Sequence, residues 1–369
     1  IDRLTRFYTE RKVQPYGPFE ASELGGAEMD EARKRLAAIL GVATHELSFG
    51  PSTTQNTYVL AQAFGQWLND GDAIIVTNQD HEANTGPWRR LADRGIEVRE
   101  WCVDSESGSL SLDDLGALLD GKVKLLCFPH CSNVVGEINP VREICAIARD
   151  AGVYTCVDGV SYAPHGLPNV GALGPDVYLF SSYKTYGPHQ GIMVMREGLG
   201  MELPNQAHYF NADTLYKRFT PAGPDHAQVA ACAGIADYID AVYTHHGGVD
   251  ARAATRGEAV HDLMRSYETE LLQPLLDYLG DKNSVRLIGP RKASAKAPTV
   301  AVLSQKPGLQ LATELAPLGV NAGGGDFYGV RCLKGLGIDP DHGVLRVSFV
   351  HYTSKGEVDK LIEALEQVL

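Results

Sequence analysis

The amino-acid sequence predicts an α/β protein of two unequal domains. The large one has a mostly parallel central sheet sandwiched by helices, and a smaller α+β unit follows it. Three observations carry this expectation. The chain has 369 residues, more than one hydrophobic core ordinarily serves. Between residues 72 and 158, short apolar runs alternate with segments of helical apolar spacing, the pattern of parallel strands joined by crossover helices. Beyond Arg196 the alternation breaks, and the rest of the chain mixes long helical stretches with a few separate strands.

In order along the chain, residues 27–40 have helical spacing and end at Gly41, a left-handed cap. A strand at 46–50 is followed by the hydroxyl-rich turn 51–56 and a helix at 57–68. Such a turn is either an anion site, with free N–H groups and the helix dipole facing it, or an ordinary N-cap. Strands at 72–77, 96–101, 123–128 and 153–157 then alternate with helices at 84–94, 112–119 and 141–151. Two further strands, 178–180 and 192–195, bracket a polar turn centred on Lys184. A long polar–aromatic connector, 204–223, leads to helices at 225–245 and 251–279. Strands at 285–288, 299–303 and 344–349 and helices at 309–318 and 355–369 complete the smaller unit. The boundary falls within 247–250. Residues 1–248 then form the large domain and 249–369 the small one, with residues 1–25 expected to pack on the small domain.

Composition excludes several classes of function. With 44% hydrophobic and 21% charged residues the chain is globular rather than disordered. A formal charge of −13 argues against nucleic acid or an anionic membrane as the main partner. No apolar run reaches transmembrane length and the first residues do not resemble a signal peptide, so the cytoplasm is expected. The seven cysteines lack framework spacing and read as reduced core residues. Cys127, His130 and Cys131 lie close together but not at zinc-knuckle spacing, and no metal site is expected.

Ligands of such sheets collect at the carboxyl ends of the strands. That rule gathers Thr53, Thr54, His81, Asn133, Asp158 and Lys184 as candidates for one site. Lys184 is either a surface hairpin lysine or an amine whose burial favours the neutral form, able to condense with a carbonyl. Asp158, ending an apolar strand, either caps the next helix or holds a cationic ring nitrogen through a charge-assisted bond. His81 is open to a structural or a functional reading. Arg346, inside an apolar strand, needs either an internal acid or a substrate carboxylate.

The segments 80–84 with Pro87-Trp88, 132–136, 157–159, 181–188 and 346–353, in that order, resemble the class V aminotransferases among the fold-type I pyridoxal-phosphate enzymes. The cysteine desulfurase-like branch is the most similar. The resemblance implies that pyridoxal 5'-phosphate is the cofactor and that Lys184 forms the Schiff base and moves the proton at the substrate Cα. It implies that His81 stacks on the cofactor ring, Asp158 keeps the ring nitrogen protonated, and Asn133 reaches the ring oxygen side. Thr53, Thr54, Ser181 and Tyr183 match phosphate ligands, and Arg346, with Asn133 beside it, binds the substrate carboxylate. It also implies a homodimer and a small amino acid or amine substrate. The sequence departs from the desulfurase pattern in one place that bears on the reaction. Tyr328 stands where that branch has a loop cysteine, and Cys332 follows among apolar neighbours. Three activities are therefore weighed. The first is transamination, elimination or epimerisation through Lys184. The second is a cysteine desulfurase or selenocysteine lyase using Cys332, and the third a non-catalytic cofactor-binding protein of the same fold. No strand is followed by G-x-G-x-x-G, which sets a nicotinamide dehydrogenase aside.

Overall fold

The computed structural model describes all 369 residues, Ile1–Leu369. Its main sheet has seven strands: β1 (Leu47–Gly50), β2 (Ala73–Thr77), β3 (Glu97–Trp101), β4 (Val123–Pro129), β5 (Tyr154–Asp158), β6 (Val177–Ser181) and β7 (Gly191–Met195). They lie in the order β1-β7-β6-β5-β4-β2-β3. Neighbours from β3 across to β6 pair parallel, whereas β7 pairs antiparallel with both β6 and β1. All strands except β7 therefore point the same way and end along one edge.

Side-chain alternation explains why the central strands are mostly apolar. Ile75, Leu126, Val157, Tyr178 and Phe180 enter a core of 39 buried residues on one face of the sheet. Ile74, Val76, Leu125, Cys156, Val177 and Leu179 enter a second core of 21 on the other face. With period two and both faces covered, a buried parallel strand has no position left for a polar residue until it ends.

The second sheet has four antiparallel strands, β8 (Val285–Leu287), β9 (Thr299–Ser304), β10 (Gly323–Gly325) and β11 (Val344–Ser348), in the order β10-β11-β9-β8. It has its own core of 18 buried residues, which the 28-residue helix Ala253–Gly280 joins through Leu271, Leu272, Leu275, Leu276 and Leu279.

Several elements differ from expectation. The first long helix is Glu20–Ile39, and the helix after β1 is Thr53–Trp67 rather than 57–68. Ser52 is its cap, accepting from Gln55 N at 3.1 Å, so the hydroxyl-rich turn is largely the first turn of the helix itself. The helical stretch 225–245 breaks at Cys232 into His226–Ala231 and Ala233–His245. The first residues, expected against the small domain, have their main helix contacts within the large one. Helix Asp2–Glu10 lies against His226–Ala231, and Phe7 belongs to the larger core of the main sheet. The glycine run 323–325 is a strand: a Cβ on Gly324 would lie 2.2 Å from the backbone of Gly308, so only glycine lets helix Gly308–Leu315 approach it.

Candidate active site

Along the edge where the parallel strands end lies a cavity of about 810 Å³. Its walls include all nine residues singled out in the sequence: Thr53, Thr54, His81, Asn133, Asp158, Ser181, Tyr183, Lys184 and Arg346. Arg346 alone comes from the second sheet, and the cavity lies where the two units meet.

At one end, the first turn of helix Thr53–Trp67 faces the cavity. Thr53 Oγ1 and Ser181 Oγ are 2.8 Å apart, bringing the ends of β1 and β6 together. Gly191, at the start of β7, passes so close that a Cβ there would lie 2.3 Å from the Ser52 carbonyl carbon. A helix N-terminus with three hydroxyl-bearing residues facing it favours an anion.

Lys184 ends a one-turn 3₁₀ helix, Ser182–Lys184, directly after β6. Its side chain is not tucked between buried strands as its neighbours in sequence suggest. Ser182 and Thr185 are buried, whereas Lys184 is exposed along the cavity wall. Thr185 Oγ1 donates to Ser181 O (2.7 Å) and Ser182 Oγ to Gln190 O (3.1 Å), which fixes the turn and leaves the amine free to project. Tyr183 lies on the same wall, its ring parallel to His189 at 4.7 Å.

Asp158, the last residue of β5, is buried and accepts from Val160 N at 2.8 Å. Burial raises its pKa to about 6, partly offset by that hydrogen bond and by the Lys184 charge. Asp80, just beyond β2, is buried too, and burial together with the Asp158 charge holds its carboxyl well above the usual range. The composition of the 80–84 segment drew attention to His81 and missed Asp80. An acid at the end of a fully buried strand was the available signal.

His81 is both structural and turned to the site. Its Nδ1 accepts from Ala83 N (3.0 Å), capping helix Glu82–Arg89. That leaves the ring proton on Nε2. Burial first, then the charges of Lys184 and Arg346, lowers its pKa to about 4, so the ring is neutral near pH 7.

Opposite, Asn133 and Arg346 form a joint between the two units. Arg346 NH1 donates to Asn133 O (2.8 Å), and its guanidinium lies 3.9 Å from the Phe327 ring centroid. Asn133 Nδ2 donates to Phe327 O (2.8 Å), which leaves Asn133 Oδ1 buried without a partner. Burial lowers the Arg346 pKa, and no acidic neighbour counters it. Phe327 was not foreseen, because its contact to Arg346 joins the loop after β10 to β11, and only the folded chain brings the two together.

Cys332, by contrast, sits in a separate apolar cluster with Val134, Val135 and Leu336, where burial pushes its thiol up to about 12. Tyr328 is on the cavity wall in front of it, with its ring centroid 5.3 Å from that of His81.

The residues fit pyridoxal 5'-phosphate on their own chemistry. A hydroxyl-lined helix start suits the phosphate, an accessible amine the aldehyde, and a buried carboxyl the ring nitrogen. A flat neutral imidazole suits the ring face, and the unpaired Asn133 Oδ1 can accept from a ring hydroxyl. Fold and site together define an α/β enzyme of the pyridoxal-phosphate kind.

Comparison with known proteins gives the family. A model of the class-V aminotransferases matches residues 1–211. An aminotransferase-like protein of Gibberella zeae is 31% identical over the whole of this chain and 90% of its own length. A cysteine desulfurase of Serratia proteamaculans is 29% identical, again over the whole chain and 89% of its own length. An apo cysteine desulfurase from Thermococcus onnurineus NA1 shares the fold with a TM-score of 0.86 at 24% identity, over 99% of this chain and 90% of that one. The cysteine desulfurase CsdA of Escherichia coli does so with a TM-score of 0.80. The chain belongs to the class V aminotransferases, a family of pyridoxal-phosphate-dependent enzymes acting on amino acids.

Proposed function

We propose that this enzyme takes an α-amino acid, binds its carboxylate through Arg346, and moves a proton at its Cα through Lys184 without a nucleophilic thiol of its own. The observation that carries the reading is Arg346: a half-buried guanidinium on the cavity wall, held by one backbone carbonyl and one aromatic ring, with no acid of the chain to neutralise it. A carboxylate ligand would supply what the fold does not.

The bound cofactor supplies an electron sink for charge developing at the substrate Cα. The chain's part is binding and proton control. Thr53, Thr54, Ser181 and Tyr183 would hold the phosphate end, and His81 would pack against the ring. Asp158, once ionised, would favour a proton on the ring nitrogen. Asn133 fixes the ring oxygen side and, through its carbonyl, the aim of Arg346. Lys184, free to swing on a rigid turn, accepts and returns the Cα proton. In this reading residues 1–248 hold the cofactor and 249–369 contribute the carboxylate clamp. The active form is a cytoplasmic homodimer. No helix is long and apolar enough to cross a membrane, and six of the seven free cysteines are buried.

The test is optical. Purified protein should absorb in the visible through its lysine-linked cofactor, and that band should shift on adding a substrate amino acid. Lys184→Ala should remove the band, and an unaltered spectrum in that variant would refute the assignment. The desulfurase relatives favour a second reading, sulfur removal from cysteine. It requires Cys332 to leave its apolar cluster and ionise despite a thiol held near 12. Cys332→Ala decides it: full turnover of the amino acid substrate by that variant supports the thiol-free reaction.

A further inference from the structure

Two consecutive residues of the loop after β10 adopt left-handed backbone: Phe327 at φ 54° and Tyr328 at φ 57°. Side chains with a Cβ rarely take that conformation, and a bulky pair in succession persists only where surrounding contacts enforce it. Here they do. Tyr328 N donates to Asp326 Oδ1 (2.7 Å), Glu82 N to Tyr328 O (2.9 Å), and Asn133 Nδ2 to Phe327 O (2.8 Å). Two of the three holding groups belong to the His81–Glu82 and Asn133 segments of the site itself. The resulting backbone lays the Phe327 ring against Arg346 and the Tyr328 ring against His81, both on the cavity wall. Tyr328 is 72% exposed and its hydroxyl has no partner, so its position owes nothing to burial in a core.

The charges of the cavity complete the argument. Lys184, Asp158 and Arg346 are committed to the cofactor and the substrate carboxylate. His81 is neutral. His165, the remaining titratable ring on the wall, is turned to both oxygens of buried Glu268 at 3.0 Å. No charged group is left to meet a charged substrate side chain. The uncharged wall includes the aromatic and apolar Phe327, Tyr328, Phe349, Val350 and Tyr352 beside the hydroxyls of Ser161, Thr299, Ser348 and Thr353.

We propose that the loop residues Phe327 and Tyr328 form an aromatic clamp that selects α-amino acids with an uncharged, flat side chain, Tyr328 being the residue that determines specificity. The proposal rests on the reading of Arg346 as the carboxylate site. Stacking between aromatic rings is the interaction an exposed, pre-positioned tyrosine can offer and an aliphatic side chain cannot fully use.

The experiment titrates the cofactor band of the holoenzyme with phenylalanine, tryptophan, leucine, alanine, aspartate and lysine. Phenylalanine or tryptophan should half-saturate at the lowest concentration, and aspartate and lysine at the highest. In Tyr328→Ala the preference for phenylalanine over alanine should fall about tenfold, the size expected for one aromatic pair, and Tyr328→Phe should restore it. A charged amino acid binding best, or an unchanged phenylalanine-to-alanine ratio in Tyr328→Ala, would overturn the clamp. Alanine substitution at Tyr328 removes a ring from the surface and does not open a core, so loss of folding is not expected, and the cofactor band reports it if it occurs. Failure of the underlying reading looks different: wild-type protein with no band, or a Lys184→Ala variant that keeps it.

Discussion

At the scale of single residues, the pair Asp80 and Asp158 sets how the site responds to pH. Both carboxyls are buried and both are raised, Asp80 the further because it feels the Asp158 charge in addition. The two carboxyls oppose each other's ionisation, and the Lys184 charge partly offsets the rise at Asp158. Because the folded pKa of Asp158 lies above its ordinary value, the cofactor-free protein binds more protons than the unfolded chain between the usual carboxylate range and about 6. This group's contribution to stability declines as pH rises through that window. Cofactor binding through a protonated ring nitrogen reverses the demand, since it needs the ionised carboxylate. Affinity for pyridoxal 5'-phosphate should consequently increase as pH rises through about 6, and Asp158→Asn should abolish that step; equilibrium titration of the cofactor at pH 5 to 8 measures both. Of this pair only Asp158 was singled out, as the acid ending the run 153–157. Asp80 lies beyond a different strand. An acid after a buried strand marks it as Asp158 is marked, but only the pairing of β2 with β4 and β4 with β5 brings the two carboxyls to one edge.

At the scale of elements, the loop 132–138 and the segment 295–299 are stitched together by a buried lysine. Lys296 is fully buried; its Nζ donates to Ile288 O (2.8 Å) and to Val135 O, and its backbone pairs with Glu137. Ala297 N donates to Gly136 O at 2.9 Å. Nothing in its immediate neighbours, two alanines after a short turn, marks this lysine as buried. Lys184 is exposed and Lys296 buried, because burial is decided by what packs over a turn and not by the turn's own neighbours. Burial lowers the Lys296 pKa to about 7, with Cys131 and Glu137 opposing weakly. A folded pKa below the unfolded value means that the unfolded chain binds the extra proton between about 7 and the ordinary value of 10.5, so stability rises with pH across that window. The slope from this one group is at most about 1.4 kcal/mol per pH unit. Urea unfolding at pH 7 and pH 9 should give a smaller difference for Lys296→Met than for the unaltered protein. Equal differences would show that Lys296 does not titrate in the folded state. A second element escaped the sequence for a related reason. The glycine run 323–325 carries no side-chain pattern, so nothing marks it as β10. Gly324→Ala would drive a Cβ into the Gly308 backbone and should lower stability by roughly 2 kcal/mol, in the range for overpacked sites, read as a shift in thermal midpoint.

At the scale of the whole molecule, the site is an arrangement between two sheets. The parallel sheet was legible because its central strands are largely apolar on both faces, and β2, β5 and β6 end in the polar residues Thr77, Asp158 and Ser181. The strand ends and the turns after them account for eight of the nine wall residues singled out in the sequence, all but Arg346. What the sequence could not supply was the approach of the second sheet, whose Arg346 reaches Asn133 O across the boundary. This contact makes one further behaviour testable. A ligand carboxylate bound by Arg346 would tie the second sheet to cofactor-linked groups of the first, so an amino acid should stabilise the whole protein as well as occupy the cavity. Linkage sets the size: at a hundred times its dissociation constant a ligand adds about 2.7 kcal/mol. The corresponding amine, lacking the carboxylate, should add little at the same concentration. Arg346→Gln should remove the difference between the two by weakening the amino acid alone, by roughly 2–4 kcal/mol for loss of a buried charged hydrogen-bond partner, while leaving the cofactor band in place. Thermal unfolding of the holoenzyme with amino acid, with amine, and with each in Arg346→Gln separates these cases. Equal stabilisation by acid and amine in the unaltered protein would place the carboxylate elsewhere and leave Arg346 as a structural tie between the sheets.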